Sequence, residues 1–390
     1  MSVFEALRLT RAPMLTLAAV GLNWGGLAGL MPDIKAATGA SDAQLGAALL
    51  APTLGALIAL FFAPRFGQWA GRLALPLAGL GTVLAILLPV LAVSPLTLGL
   101  VMFVTGASVA MADITANMRI ADLEAETGRH LQSVNHAVFS LSFGLTAFSV
   151  ALARQAGFGH REVLPVIALV ALGLVLLARD RRALAAASDT DDNSTRPPRD
   201  VVLIAGFLLF AAFVGENAPE AWSALHIERT LGAPAGEGSY GPAVLGLVMF
   251  LGRIGGQFAA QRFGEVRLIA ASAVLGAFGA VIIAAGPTRA VVLAGVGVLA
   301  LGMAVIVPAT TSVIGRAVSD AARPMAISRA WMAGLIGFFV GPAMMGGLAQ
   351  LWSLRVSFAA VAVIVALILP AVLALSRRAA PGRRGSAGPT

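Results

Sequence analysis

Long apolar runs, broken at intervals by short polar stretches, set the reading of this chain. A helix needs about 20 apolar residues to cross a bilayer. Twelve such runs can be placed, near 12–31, 43–63, 73–93, 95–118, 131–154, 162–179, 200–222, 241–261, 267–286, 288–314, 325–350 and 354–376. Lipid offers nothing for backbone groups to bond, so each run is predicted to be helical. The expected class is an all-α membrane protein with twelve transmembrane helices. The first run follows Arg8 and Arg11 like a secretion signal, but with eleven more behind it, it is expected to be retained.

One long polar interval, Arg179 to Asp200 (RDRRALAAASDTDDNSTRPPRD), is too rich in Ser, Asp and Pro to build a core. It divides the chain into two sets of six spans: a first bundle over 1–178, a linker over 179–200 and a second bundle over 201–378. Residues 379–390 are expected to be a disordered tail. The halves resemble each other. Phe62-Ala63-Pro64-Arg65-Phe66-Gly67 returns as Phe258-Ala259-Ala260-Gln261-Arg262-Phe263-Gly264, each after the second span of its half. Glycine is expected to supply a tight turn there, with arginine held in the basic surface layer.

Composition agrees with the pattern: 58% of residues are hydrophobic, 12% are charged, and the mean hydropathy is +0.88. The formal charge of +8 is distributed by topology. Arg65, Arg72, Arg119, Arg129, Arg179, Arg181, Arg182, Arg196, Arg199, Arg262, Arg267, Arg316, Arg323, Arg329, Arg377, Arg378, Arg383 and Arg384 fall on one side of the twelve-span arrangement, whereas the other side carries only Lys35, Arg154, Arg161, Arg229, Arg289 and Arg355. This bias places both termini in the cytoplasm of a multi-pass protein of the bacterial inner membrane. The expected macroscopic partner is the lipid bilayer, not nucleic acid. There is no cysteine, and the four histidines lack metal-ligand spacing, so no metal or other cofactor is expected.

The few charges inside the spans carry the functional leads. Asp113 and Asn117 lie one turn apart on the fourth span and share a face. An aspartate there costs roughly 3 kcal/mol even on a lenient insertion scale, so it should face protein or a water-filled path. A helix-clamping hydrogen bond is one reading, and a gate or proton carrier is the other. Glu216 and Glu220 are paired in the same way on the seventh span. Counted from Val201, Glu216 is expected roughly 23 Å along, in the outer half, as a proton carrier or a structural ion pair. Glu220 is expected at the interface. Arg253, in the middle of the eighth span, requires an acid, backbone carbonyls or water, and it can instead contact an anionic or hydroxyl-rich solute.

Further candidates for substrate binding or gating are Asn23 and Trp24 on the first span, Asn135 and His136 at the start of the fifth, Trp222 on the seventh and Trp331 on the eleventh. The alternatives are a surface histidine and tryptophans that anchor at the interface, as Trp69 and Trp352 are expected to do. The glycine-rich stretch Gly337-Phe338-Phe339-Val340-Gly341-Pro342 suggests close helix packing and a bend.

In these features the chain resembles the major facilitator superfamily, with two six-helix bundles, a charged central linker and short basic turns after the second and eighth spans. The superfamily's loop signature survives in part: Gly67-Gln68-Trp69-Ala70-Gly71-Arg72 has Gly71 where an acid is usual. The nearer resemblance is to a bacterial branch of permeases distantly related to fucose/galactose/glucose–proton symporters. It rests on Gly106, Asp113, Asn117, Glu124, Gly128-Arg129, His136, Phe139-Ser140 and Gly144, then on Glu216-Asn217-Ala218, Trp222-Ser223-Ala224, Gly252-Arg253, Gly334, Gly337-Phe338 and Gly341-Pro342. Ala221 departs from the aspartate that usually precedes the tryptophan.

The resemblance implies two pseudo-symmetric bundles and a monomeric secondary transporter working by alternating access. The expected cargo is a small polar solute, with sugar-like ones among the candidates. Proton coupling is expected through Asp113 or Glu216. Drug or metabolite efflux is the runner-up. A membrane-embedded enzyme or a receptor is a remote alternative, because no nucleophile elbow, phosphate loop or extramembrane domain is present.

Overall fold

The structure, a computed structural model, describes residues 3–129, 131–180, 196–319 and 321–379. Its described elements are helices. A short α1 (Val3–Leu9) leads into α2 (Arg11–Thr38), α3 (Asp42–Ala48), α4 (Ala51–Ala70), α5 (Ala74–Leu87), α6 (Pro95–Thr127), α7 (Gln132–Gln155) and α8 (His160–Leu177). The second half holds α9 (Arg199–Leu225), α10 (Tyr240–Phe263), α11 (Glu265–Ala285), α12 (Arg289–Met303), α13 (Ile306–Ala317), α14 (Arg323–Leu351), α15 (Leu354–Ala366) and α16 (Ile368–Ala379).

Ten helical segments among the described residues are long and apolar enough to cross a membrane. One of them, Asp42–Leu91, runs 50 residues, the length of two crossings, and α10 adds a shorter apolar stretch at Tyr240–Gly256. The spans agree with the twelve expected. Several helices outrun their apolar cores: α2 continues to Thr38, α6 to Thr127, and α9 passes into a π-turn, His226–Thr230. The expected linker falls largely, and the expected tail almost wholly, outside the described residues.

The repeated Arg-Phe-Gly triplets are not structurally equivalent. Gly264 ends α10 with φ +77°, as expected of a turn glycine. Gly67 lies inside α4, and the turn comes four residues later at Gly71, with φ +55°. The first-half helix simply runs one turn further before it needs the left-handed conformation. Trp69 and Trp352 are exposed, as expected of interfacial residues.

Within the first half, α2 packs on α6, α7 and α8, and α4 packs on α6; within the second, α9 packs on α14, and α11 on α12 and α15. The halves meet mainly where α7 crosses α10 and where α3 crosses α14. Glycine faces glycine at both crossings. A Cβ on Gly144 would stand 3.0 Å from the Gly246 carbonyl carbon, and one on Gly46 would stand 3.0 Å from the Gly346 Cα. Helix α14 continues unbroken through Pro342, and its Gly337 lies against the Phe210 carbonyl of α9. The close packing expected of this glycine-rich helix is present.

Candidate functional site

Along the seam between the halves, the chain brings several candidates together. Asn117 hydrogen-bonds the Asp113 carboxyl and accepts a hydrogen bond from Gln132 Nε2 at 2.5 Å. Gln132 Nε2 also lies 3.1 Å from His136 Nε2. Helix α7 begins at Gln132 because Glu124 reaches back from α6: its Oε1 accepts the Gln132 N–H at 2.9 Å and the Leu131 N–H. That cap serves orphan N–H groups at the helix start and fixes α7 against α6. The polar row Asp113–Asn117–Gln132–His136 is the result.

Across the seam Arg253 completes the row. Its Nη2 donates to Glu216 Oε1 at 2.8 Å, and its Nη1 donates to Ser140 Oγ at 2.5 Å and to the His136 carbonyl at 3.3 Å. Arg253 therefore ties α9 and α10 to α7 of the other half, satisfying the partner requirement read from its depth. Both charged side chains are about one-fifth exposed, at 18% for Arg253 and 21% for Glu216. Glu216 sits 17 residues from the start of α9 at Arg199 and 14 from the end of the π-turn at Thr230 (216 − 199 and 230 − 216). It is thus near the middle of the continuous helix, which runs beyond the expected end at 222. Glu220 is half-buried one turn further, with the Glu216 carboxylate and the Arg253 guanidinium as its charged neighbours.

The remaining candidates lie elsewhere. Trp331 is 36% exposed, packs its ring on Phe213 and donates its indole N–H to Thr311 Oγ1 at 3.3 Å. Trp222 is fully buried in the core of the second half and faces no open space. Asn135 is also fully buried, its Nδ2 donating to the Leu131 carbonyl at 2.8 Å. Asn23 is 2% exposed inside the first half, while Trp24 packs beside Val20, Val109 and Ala112. These side chains shape the walls behind the seam; their neighbours, not their hydropathy, decide that.

A second charged assembly was missed by the sequence reading. Arg154, near the end of α7, has a side chain only 3% exposed. Its Nε and Nη2 donate to Asp33 of α2 at 3.0 and 2.5 Å, and its Nη1 and Nη2 donate to Glu228 of the π-turn at 2.5 and 3.0 Å. Ser239 Oγ accepts from Nη1 at 3.0 Å and itself donates to the Gly29 carbonyl at 2.7 Å. Beside it, Asp42 accepts from Arg229 across the seam and pairs with Lys35 of its own half at 3.3 Å. Ser41 fixes Asp42 at the start of α3 through a reciprocal cap with Gln44, at 3.2 and 2.9 Å. Counting only basic residues for topology hid this assembly. The signal was present as nearly equal numbers of acids and bases in otherwise apolar connections.

Residues 210–389 match the Major Facilitator Superfamily. An uncharacterised MFS-type transporter of Yersinia pestis is 28% identical over 362 residues, covering 92% of this chain and 93% of the relative. The second half of the chain thus matches the superfamily's model, and nearly the whole chain is similar to a transporter of that type. The superfamily fold is shared at much lower identity. A crystal structure of the nucleoside transporter NupG superposes with a TM-score of 0.73 at 14% identity, covering 94% of this chain and 99% of that one. A bacterial homolog to the human lysosomal transporter Spinster, in an inward-facing and occupied conformation, gives a TM-score of 0.70 at 18% identity over 97% and 98% of the two chains. The resemblance drawn from the residues is borne out: the chain has many membrane-spanning helices and is similar to transporters of this superfamily, which are not enzymes.

Proposed function

We propose that this transporter is a proton-coupled secondary carrier of a small polar solute, working as a monomer in the bacterial inner membrane with both termini in the cytoplasm. Its two bundles, residues 1–178 and 201–378, rock about the seam so that a central site opens to each side in turn. The observation that carries this reading is the Arg253–Glu216 ion pair, which sits mid-helix and reaches Ser140 and the His136 carbonyl of the other half. A proton on Glu216 removes the charge that holds Arg253, so occupancy by a proton changes what binds the halves together. Only such a differential effect on two conformations can couple one binding event to another. Asp113, linked to the same seam through Asn117, Gln132 and His136, is the second carrier, and Glu220 is a further carboxyl within reach of the same guanidinium.

Amides, carboxylates and the exposed Trp331 ring favour a hydroxylated solute that can stack one apolar face. Sugars fit that description, and the fold shared with a nucleoside transporter supports including nucleosides among the candidates. A thermal-shift screen of purified protein against sugars, nucleosides and organic acids identifies the solute, since a ligand stabilises the fold that binds it. The test uses that solute in proteoliposomes. Asp113→Asn and Glu216→Gln should each abolish proton-driven accumulation while leaving exchange at equal concentrations largely intact. Normal accumulation in both variants would leave the proposal without a carrier.

A further inference from the structure

The assembly around Arg154 joins the halves at the end of the seam opposite the chain termini, and its wiring is unusual in one respect. Each buried charge that crosses the seam also has a partner within its own half. Arg154 reaches across to Glu228 but is held by Asp33 of α2, in the same half. Glu228 reaches back to Arg154 but also accepts the backbone N–H groups of Gly236 and Gly238, at 3.0 and 3.2 Å, within its own half. Asp42 takes Arg229 from the other half and keeps Lys35 in its own. Arg229 has a side chain 46% exposed, so water serves it when Asp42 leaves.

Breaking a buried ion pair is normally costly because a stranded charge is left behind. Here separation strands none. The turn at the end of α9 makes this geometry possible. In the wider coil of His226–Thr230, the consecutive residues Glu228 and Arg229 both engage the first half. His226 pins that turn to the second half: it is fully buried, with Nε2 3.1 Å from the Ile283 carbonyl and Nδ1 3.1 Å from Thr230 Oγ1.

We infer that Arg154–Glu228 and Asp42–Arg229 form a reversible latch closing the passage at this end, and that the same-half partners Asp33, Lys35 and the Gly236/Gly238 amides are reserve partners that let it open. The inference rests on the alternating-access reading above. It has a consequence that simple structural pairing lacks. Glu228→Gln and Asp33→Asn each remove one carboxylate from Arg154, yet they act in opposite directions. Losing Glu228 weakens the closed state only, so the end opens more often. Losing Asp33 leaves Arg154 paired with Glu228 when closed but with only the Gly29 carbonyl and no carboxylate when open, so the end opens less often.

The chain has no cysteine, so a single one reports cleanly. Ala243 is 1% exposed and lies one turn along α10 from Ser239, its N–H bonded to the Ser239 carbonyl. Maleimide labelling of Ala243→Cys in purified protein in nanodiscs measures opening at this end. Relative to that background, Glu228→Gln should label about fivefold faster or more, and Asp33→Asn should label more slowly by a similar factor. Arg229→Gln and Lys35→Gln form a second, more exposed pair that should split the same way, should either first-pair variant fail to fold. Shifts in the same direction within both folded pairs, or no shift in either, overturn the latch. No labelling in any variant before denaturation, with full labelling after it, overturns alternating access itself and the latch with it.

Discussion

The two ends of the seam are wired differently. Opposite the termini, the Arg154–Glu228 and Arg229–Asp42 pairs join the halves, with Asp33 and Lys35 as same-half partners of Arg154 and Asp42. Toward the termini, the described ion pairs stay within one half: Arg119 pairs with Asp180 at 2.7 Å in the first, and Arg316 pairs with Glu265 in the second. Pairs of the second kind hold a bundle together and are indifferent to how the bundles face each other. Pairs of the first kind belong to one arrangement of the bundles. The structure thus records a state joined at the end opposite the termini.

The largest effect should come from the most enclosed cation. Arg154→Ala leaves Asp33 and Glu228 facing each other without their shared partner, and it should cost about 3–5 kcal/mol of stability, read as a large drop in melting temperature. Arg253→Ala should cost less, about 1–3 kcal/mol, because both members of that pair are less enclosed than Arg154. Arg253→Lys should restore most of the stability but only part of the transport, since an ammonium cannot span Glu216 and Ser140 as the planar fork does. Equal transport in the alanine, lysine and unaltered proteins would remove Arg253 from the mechanism. The smallest effect belongs to Arg316→Gln. With its side chain 58% exposed, its loss should cost about 1 kcal/mol or less and leave labelling of Ala243→Cys unchanged. A labelling change there would erase the contrast between the two ends.

The helices were legible because lipid enforces a simple rule, a run of apolar residues about 20 long, and α7, α10 and α15 start within a residue or so of where their runs begin. That Arg253 needs a partner was legible too, since a mid-span guanidinium must find an acid, backbone carbonyls or water. Arg154 was not. Its significance depends on Asp33, Glu228 and Ser239 converging from three distant stretches of chain, and a charge beside a loop carries no mark of that in one sequence. Trp222 and Asn135 lie fully buried for a related reason. A polar or aromatic residue in a span must avoid lipid, but the core of its own bundle satisfies that requirement as well as an open passage does. The Gly67 turn failed because α4 continues for one more turn, a choice made by packing against α6 rather than by the local triplet.

The two glycine crossings have a mechanical consequence. At Gly46–Gly346 and at Gly144–Gly246, backbone comes close to backbone, with only Phe143 and Leu247 side chains beside the second crossing, so little has to be withdrawn before one surface tilts on the other. Two such smooth contacts define a line, and a tilt about that line keeps both in register while the ends on either side move apart or together. In the proposed alternating access they would act as the fulcrum of a lever. A side chain added at either crossing is then a wedge, felt least at the contact itself and most at the far ends of the arms.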